Sequence, residues 1–333
     1  MKLFPTEYGL SLRGQSLCIA VKSDNLLKES RQEILKDIKY LRRFDVQIYL
    51  VHLFRDTKEV ETFFSKHAKA VSLYGRSFDR EAVSFAIKHE CSKLLFVERQ
   101  VLKYKNGDPV DAITLDDLPE LNSFLESSSD LQRVQHILSS IGDVSTLKQV
   151  HILSNARPKF IRNELFSIEG VGTMITENMN VGFSYCDAED IRPILNLLKP
   201  HVKLGNVLPR NFDYIEKRID KFFKASIDNI LAGCVEKIHL DNEIVEIGAL
   251  VSVDRFLNRK VGKMLLTGIF KRLKEEGYSK ALVVTKNRKF CNSLVTFYDF
   301  EEIKSGDDDV SIELEHRMER SFYAKCFIKE IAG

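Results

Sequence analysis

Along the first half of the chain, short apolar runs alternate with stretches whose apolar residues recur every three or four positions. Ser16–Val21 (SLCIAV) reads as a buried strand, and residues 26–44 carry helical periodicity through Leu27, Ile34, Ile38 and Leu41. Residues 46–54 (VQIYLVHLF) predict a second strand, 60–67 a helix, 70–74 a short strand, 79–89 a helix and 93–97 another strand. Alternation of this kind implies a parallel sheet covered by helices on both faces. Turn residues at 105–109 (KNGDP) and a polar segment at 127–130 (SSSD) interrupt the pattern. A helix over about 131–141 then leads into the strand Gln149–Ser154, and a helix over 160–166 runs into EGVGTMI.

Near residue 180 the order changes. FSYCDAEDIRPILNLL offers a strand, an N-cap candidate in Asp187 and a helix, and residues 211–223 read as helical. The apolar runs ILAGCVEKI and EIVEIGALVSV are separated only by HLDN, the spacing of an antiparallel hairpin. A basic loop follows, then a helix over 262–276 with Leu265, Leu266, Ile269, Phe270 and Leu273 on one face. The strand Lys280–Thr285, a helix over 290–297 and two strand-like runs ending at FIKEI complete the chain. Two α/β domains are therefore expected, 1–178 and 179–333, the first a parallel sheet and the second containing an antiparallel hairpin.

Composition narrows the chemistry. With 333 residues, 44% hydrophobic and 29% charged, the chain can bury a core in each of about two domains. Fifty Lys and Arg against 48 Asp and Glu give a net charge of +2, which disfavours a nucleic-acid binder working through a broad basic face. The six cysteines are widely spaced with no CxxC, as expected of reduced thiols, and the eight histidines form no ligand cluster, so no metal site is expected. No apolar run approaches the roughly 18 residues of a membrane span, and MKLFPTEYG lacks a signal-peptide core. The expectation is a cytoplasmic protein with no membrane partner.

The loop DRFLNRKVGKMLL carries the chemistry. A helix N-terminus presents unpaired N–H groups and partial positive charge, so it binds phosphate. Arg259, Lys260 and Lys263 add full charges, and Gly262 lets the backbone approach a ligand closely. A basic helix start containing a glycine is also a common solvated cap. Here, however, it lies between an apolar strand and an amphipathic helix. In that setting Arg259-x-x-Gly262-x-Met264 resembles the R/Q-x-x-G-x-G/A signature of GNAT acetyltransferases, with Met264 in place of the usual small last residue.

A second stretch is more specific. HILSNARPKFIRNELFSIEGVGTMI resembles the segment closing the amino-acid-kinase-like domain of the N-acetylglutamate synthase family, a histidine-led strand followed by E-L-F-x-x-x-G-x-G-T, matched by Glu164, Leu165, Phe166, Gly170, Gly172 and Thr173. Glu246 stands sixteen residues before Gly262, as in that family. The resemblance implies a shortened amino-acid-kinase-like domain with a parallel sheet, followed by a GNAT α/β domain with a mixed, mostly antiparallel sheet. No K-x-G-G loop follows the first strand, so kinase activity is not expected.

The implied reaction is direct attack of a neutral amine on the thioester of acetyl-CoA, with no metal. Glu246 is the candidate base, because a carboxylate in an apolar strand has its pKa raised by burial; a strand-end glutamate facing solvent is the plain alternative. The family places the pantetheine arm and thioester carbonyl against Leu250, Val251, Ser252 and Val253, with the pyrophosphate at Arg259, Lys260, Val261, Gly262, Lys263 and Met264. Tyr298 resembles the tyrosine that protonates the leaving thiolate and Asn292 the asparagine of the same helix, although Tyr298 also fits core packing. A substrate carboxylate needs a cation, and Arg210 (in LPRN) and Lys325 (in SFYAKCF) stand near the places where the family has arginines. Glu164, Gly170, Gly172 and Thr173 match residues lining the family's arginine effector site; a helix-to-strand turn would equally require two glycines.

These features predict an amino-acid N-acetyltransferase acting on L-glutamate in arginine biosynthesis, homo-oligomeric through the front domain. The alternative is a catalytically weak relative that binds acyl-CoA or an amino acid and works through a partner.

Overall fold

The computed structural model describes residues 11–53, 57–74, 77–141, 145–167, 170–179, 181–227, 230–253, 261–303 and 324–331. The chain divides into two compact units, Met1–Met179 and Asn180–Gly333.

In the first unit the strands β1 (Ser16–Val21), β2 (Gln47–His52), β3 (Lys69–Ser72), β4 (Cys91–Glu98), β5 (Ala112–Ile113), β6 (Gln149–Ser154) and β7 (Thr173–Thr176) form one sheet in the order β3-β2-β1-β4-β6-β7-β5. Pairs from β3 through β6 are parallel, whereas β7 runs antiparallel to β6 and β5 pairs parallel with β7. Besides a single turn at Leu121–Phe124, the helices are α1 (Asp24–Leu41), α2 (Thr57–Phe64), α3 (Phe78–Lys88), α4 (Ser128–Ser140) and α5 (Phe160–Leu165). Cys18 and Ala20 of β1 share an apolar cluster with Ala82, Val83 and Ala86 of α3 and with Val134, Ile137 and Leu138 of α4. Leu17 and Ile19 point to the other face by the two-residue period of a strand, and both are fully buried. The expected parallel sheet with covered faces is present. The short strands β5 and β7 were not legible, because AI and TMIT are too brief to show a period.

The second unit is a mixed sheet of β8 (Val181–Tyr185), β9 (Phe222–Ile227), β10 (Ile230–His239), β11 (Ile244–Ser252), β12 (Lys280–Thr285), β13 (Glu301–Ile303) and β14 (Lys325–Glu330), in the order β13-β14-β12-β11-β10-β9-β8. Only β11 and β12 are parallel; the other neighbours are antiparallel, as expected. Its helices are α6 (Ile191–Lys203), α7 (Phe212–Lys217), α8 (Val261–Glu275) and α9 (Arg288–Tyr298). Asp187 does cap the approach to α6, accepting from the Glu189 N–H at 2.9 Å.

The helix expected over 211–223 is a correction. Asn211 caps it, accepting from Tyr214 N–H at 2.8 Å, but α7 stops at Lys217 and Phe222–Ile227 is β9. The period changes within the segment. Phe223, Ala225 and Ile227 are buried at every second position, between β8 and β10.

Helix α8 lies on the sheet face that carries Phe183 and Gly233. A Cβ on Gly268 would sit 2.5 Å from the Phe183 ring, and one on Gly233 would sit 2.9 Å from Leu265 and 2.8 Å from the Val251 carbonyl. Both glycines exist so that helix and sheet can touch. Glu236, three positions beyond Gly233, faces the opposite side of the sheet.

Candidate active site

The centre of the second unit is a parting between two strands. β11 pairs with β12 through Ile244, Val245 and Glu246, opposite Lys280, Ala281 and Leu282. β11 continues to Ser252, yet beyond Glu246 the two strands have no further paired residues. A bulge explains the divergence. Ala249 adopts φ 46°, and the ladder to β10 shifts register between Cys234 and Glu236. A bulge bends its strand and increases the local twist. Past it, Val251 and Ser252 pair with Cys234 and Gly233, and the Val253 N–H donates to the Ala232 carbonyl at 2.8 Å. β11 thus keeps its neighbour on one side and opens a wedge on the other. An extended ligand bearing amides can complete an open strand edge by main-chain hydrogen bonds.

α8 begins at Val261, which is fully buried, and its first turn holds Gly262, exposed Lys263 and half-buried Met264. A Cβ on Gly262 would meet no described atom within 4 Å. Among the described residues, nothing requires glycine there. Arg259 and Lys260 lie outside the described residues.

Glu246 is half-buried at the mouth of the wedge. Its charge reaches Cys326, whose thiol is pushed up to about 12, first by burial and then by the Glu246 carboxylate. Tyr298, the last residue of α9, is half-buried and its phenol is raised above its ordinary value by burial. Asn292 is exposed on the same helix. Lys325 opens β14 opposite Thr285 and is exposed, with an ion pair to Glu302 at 2.7 Å.

Arg210 is not a surface charge. Its side chain is 7% exposed, and its Nε donates to Glu236 Oε2 at 2.6 Å while one Nη donates to the Leu208 carbonyl at 2.9 Å. Glu236, whose side chain is fully buried, also accepts from the Tyr214 hydroxyl at 2.7 Å and from Arg218 Nε at 3.2 Å. Both guanidiniums lie within cation–π range of the Tyr214 ring, at 5.8 and 5.3 Å. Burial, then the hydrogen bond and charge of Glu236, raise the Tyr214 phenol. Glu236 stands directly across the ladder from Gly248, and a Cβ on Gly248 would come within 3.2 Å of the second Arg210 Nη. Glu246 and Gly248 share one face of β11, about 7 Å apart along the strand.

Glu236, Tyr214 and Arg218 were missed from the sequence. The signal was present: Arg210, Tyr214 and Arg218 recur at four-residue intervals, the spacing of one helical face. A carboxylate stands in the next long apolar run, ILAGCVEKI.

In the first unit, Glu164 meets Gly172, while Gly170 donates to Ser167 Oγ and Thr173 bonds to other segments. Glu164 Oε1 pairs with His151 Nδ1 at 2.7 Å, and Oε2 accepts from the Val171 and Gly172 N–H groups at 2.7 and 2.8 Å. Thr173 Oγ1 donates to the Val110 carbonyl at 2.6 Å. Gly170 has φ 58°, and a Cβ on Gly172 would sit 2.6 Å from the Ile152 carbonyl oxygen. These residues close the loop between α5 and β7, so the Glu164 carboxylate is occupied within the fold. Among the described residues no cluster of His, Cys, Asp or Glu fits a metal ion, and no helix is long and apolar enough to cross a membrane.

Two α/β sheets in tandem, the second opened beside a bulged strand and followed by a helix with a clear first turn, define the class of protein by fold. No protein-family model matches the chain. It is similar to proteins named amino-acid acetyltransferase: that of Photorhabdus laumondii is 29% identical over 225 residues, 65% of this chain and 50% of that one. The protein of the same name from Shewanella oneidensis is 26% identical over 225 residues, 65% of this chain and 51% of that one. The chain thus spans about half the length of the curated relatives it matches. Among solved structures, N-acetylglutamate synthase from Neisseria gonorrhoeae, complexed with coenzyme A and L-arginine, is 15% identical, covers 97% of this chain and 96% of that chain, and has a TM-score of 0.55. The resemblance read from the sequence is met by both comparisons, and the fold is that of the synthase.

Proposed function

We propose that this protein is an amino-acid N-acetyltransferase that moves the acetyl group of acetyl-CoA to the α-amino group of L-glutamate, at the entry to arginine biosynthesis. The observation that carries the reading is the wedge. β11 leaves β12 immediately after a half-buried carboxylate, Glu246, and α8 begins with a turn holding Gly262, where an added Cβ would meet no described atom within 4 Å. An acyl thioester arm laid along the open edge at Leu250–Val253 would bring its carbonyl to main-chain donors, with its phosphates at the start of α8. The relatives' name and the synthase fold support the same chemistry.

Glu246 would take the proton of the incoming ammonium, directly or through water. The C–N bond then forms at the thioester carbonyl, the nitrogen releases its second proton to solvent, the C–S bond breaks, and the thiolate takes up a proton, for which Tyr298 on α9 is the candidate. Glu246 and the open edge lie along β11, and an Nη of Arg210 reaches that strand at Gly248, so an amino acid could present its amine to the base and a carboxylate to the guanidinium. Lys325 is a weaker candidate for that carboxylate, being exposed and already paired with Glu302. The front unit is the proposed site of homo-oligomer formation, and the cytoplasm the proposed location.

Thiol release from acetyl-CoA by the purified protein, measured with each common amino acid, ornithine and a blank, tests the reading. A rate with glutamate above the blank supports it. Release with a different amine alone retains the chemistry and removes glutamate. Coenzyme A binding with silence across the whole panel favours the alternative, a binding protein that acts through a partner.

A further inference from the structure

The cluster around Glu236 holds more positive charge than its carboxylate needs. Arg210 and Arg218 both donate to Glu236, so two guanidiniums meet one carboxylate. One arginine with Tyr214 would satisfy a buried glutamate; a second leaves one unit of excess positive charge. It also leaves N–H edges without a partner. Among the described residues, the two Nη groups of Arg218 and the second Nη of Arg210 donate to no protein acceptor, and Arg218 remains 36% exposed. Buried or half-buried cations are normally paired, and a guanidinium held at Nε presents its planar Nη edge to a carboxylate. The edge of Arg210 lies over Gly248, on the face of β11 that carries Glu246.

We propose that Glu236 and Tyr214 are positioning residues that hold Arg210 and Arg218 as a clamp for a carboxylate of the acceptor amino acid, and that Gly248 is the specificity-determining gap through which the clamp reaches β11. The inference rests on the transferase reading and deepens it: the acceptor is bound as an anion, and the orientation of its cationic partner is set from the neighbouring strand. Tyr214 supplies both a hydroxyl to Glu236 and a ring against which the two guanidiniums lie. Gly248 supplies room. A methyl there meets Ile238 Cδ1 at 2.7 Å, a flexible side-chain end that can turn aside, and Arg210 Nη at 3.2 Å, which must shift. Gly248→Ala is therefore a mild change for the fold and a direct one for the clamp.

The experiment is steady-state thiol release by the full chain, varying L-glutamate and acetyl-CoA separately, for the parent, Gly248→Ala and Tyr214→Phe. The expected result is an increase of about tenfold or more in the KM for L-glutamate in each variant, the scale of one charge-assisted hydrogen bond, with the KM for acetyl-CoA within about twofold of the parent. A general loss of structure would move both constants together. Variants whose glutamate KM stays at the parent value, or whose two KM values rise in parallel, would overturn the clamp while leaving the transferase reading intact. A parent protein that releases no thiol with any amino acid would overturn both.

Discussion

Glu246 is the last residue of β11 to pair with β12, and its partner across that final rung is Leu282. One rung further the strands separate, so the carboxylate marks the point where backbone pairing ends and ligand space begins. A half-buried carboxylate beside a ligand edge is placed where it can take part in proton transfer.

Glu246→Gln keeps the shape of the side chain and removes its basicity. Turnover should fall roughly 10²-fold with little change in the KM for acetyl-CoA. Single-turnover thiol release measures the chemical step. An unchanged rate removes Glu246 from the role of base.

Gly262→Ala separates folding from ligand binding. Since the added methyl meets no described atom, and alanine favours helix over glycine by about 1 kcal/mol, thermal stability should be kept or slightly raised. If the first turn of α8 faces the phosphates of acetyl-CoA, the KM for that substrate should nonetheless rise severalfold. Stability and KM moving in opposite directions is the signature; a KM equal to the parent's contradicts the cradle.

The glycines of the first unit have the opposite character. Gly172→Ala drives a methyl against the Ile152 carbonyl at 2.6 Å, a backbone atom that cannot turn away. Destabilisation of about 1–3 kcal/mol is expected, seen as an earlier unfolding transition of the front unit by denaturant titration. No such loss would mean that β6 and β7 can part at little cost.

Cys326 gives a prediction with a definite sign. Its thiol titrates near 9 when exposed and is pushed up to about 12 in the folded unit. Below pH 9 both states keep the proton. Above it the unfolded chain loses the proton while the folded one retains it, so the thiol's contribution to stability declines as pH rises from about 9 toward about 12. Parent and Cys326→Ala should converge in stability by up to about 1.4 kcal/mol per pH unit in that window. A gap that stays constant from pH 8 to pH 11 rules the shift out.

Much of the fold could be read from the sequence because most elements are long and strongly periodic. β1, β6 and β12 have the bounds that their apolar runs suggest, and α8 starts within one residue of expectation. What failed was short or mixed. The stretch Asn211 to Phe223 carries helical spacing at its start and strand spacing at its end, and only packing between β8 and β10 decides where one gives way to the other. The candidate site divided along similar lines. Glu246 and Gly262 stand out locally, whereas the clamp is assembled from α7, its approach and β10, and a contact between segments 18 to 26 residues apart is not written in either one. Glu164 shows the converse: its matched motif is plain in the sequence, but its oxygens face the loop that it closes.

The most direct test of the central claim is product analysis. Incubation of the purified protein with acetyl-CoA labelled in the acetyl carbonyl and with L-glutamate, followed by mass spectrometry, should give labelled N-acetylglutamate, in an amount that matches the thiol released and falls sharply in Glu246→Gln. Thiol release without labelled N-acetyl product, or product formed equally by parent and variant, would contradict the account.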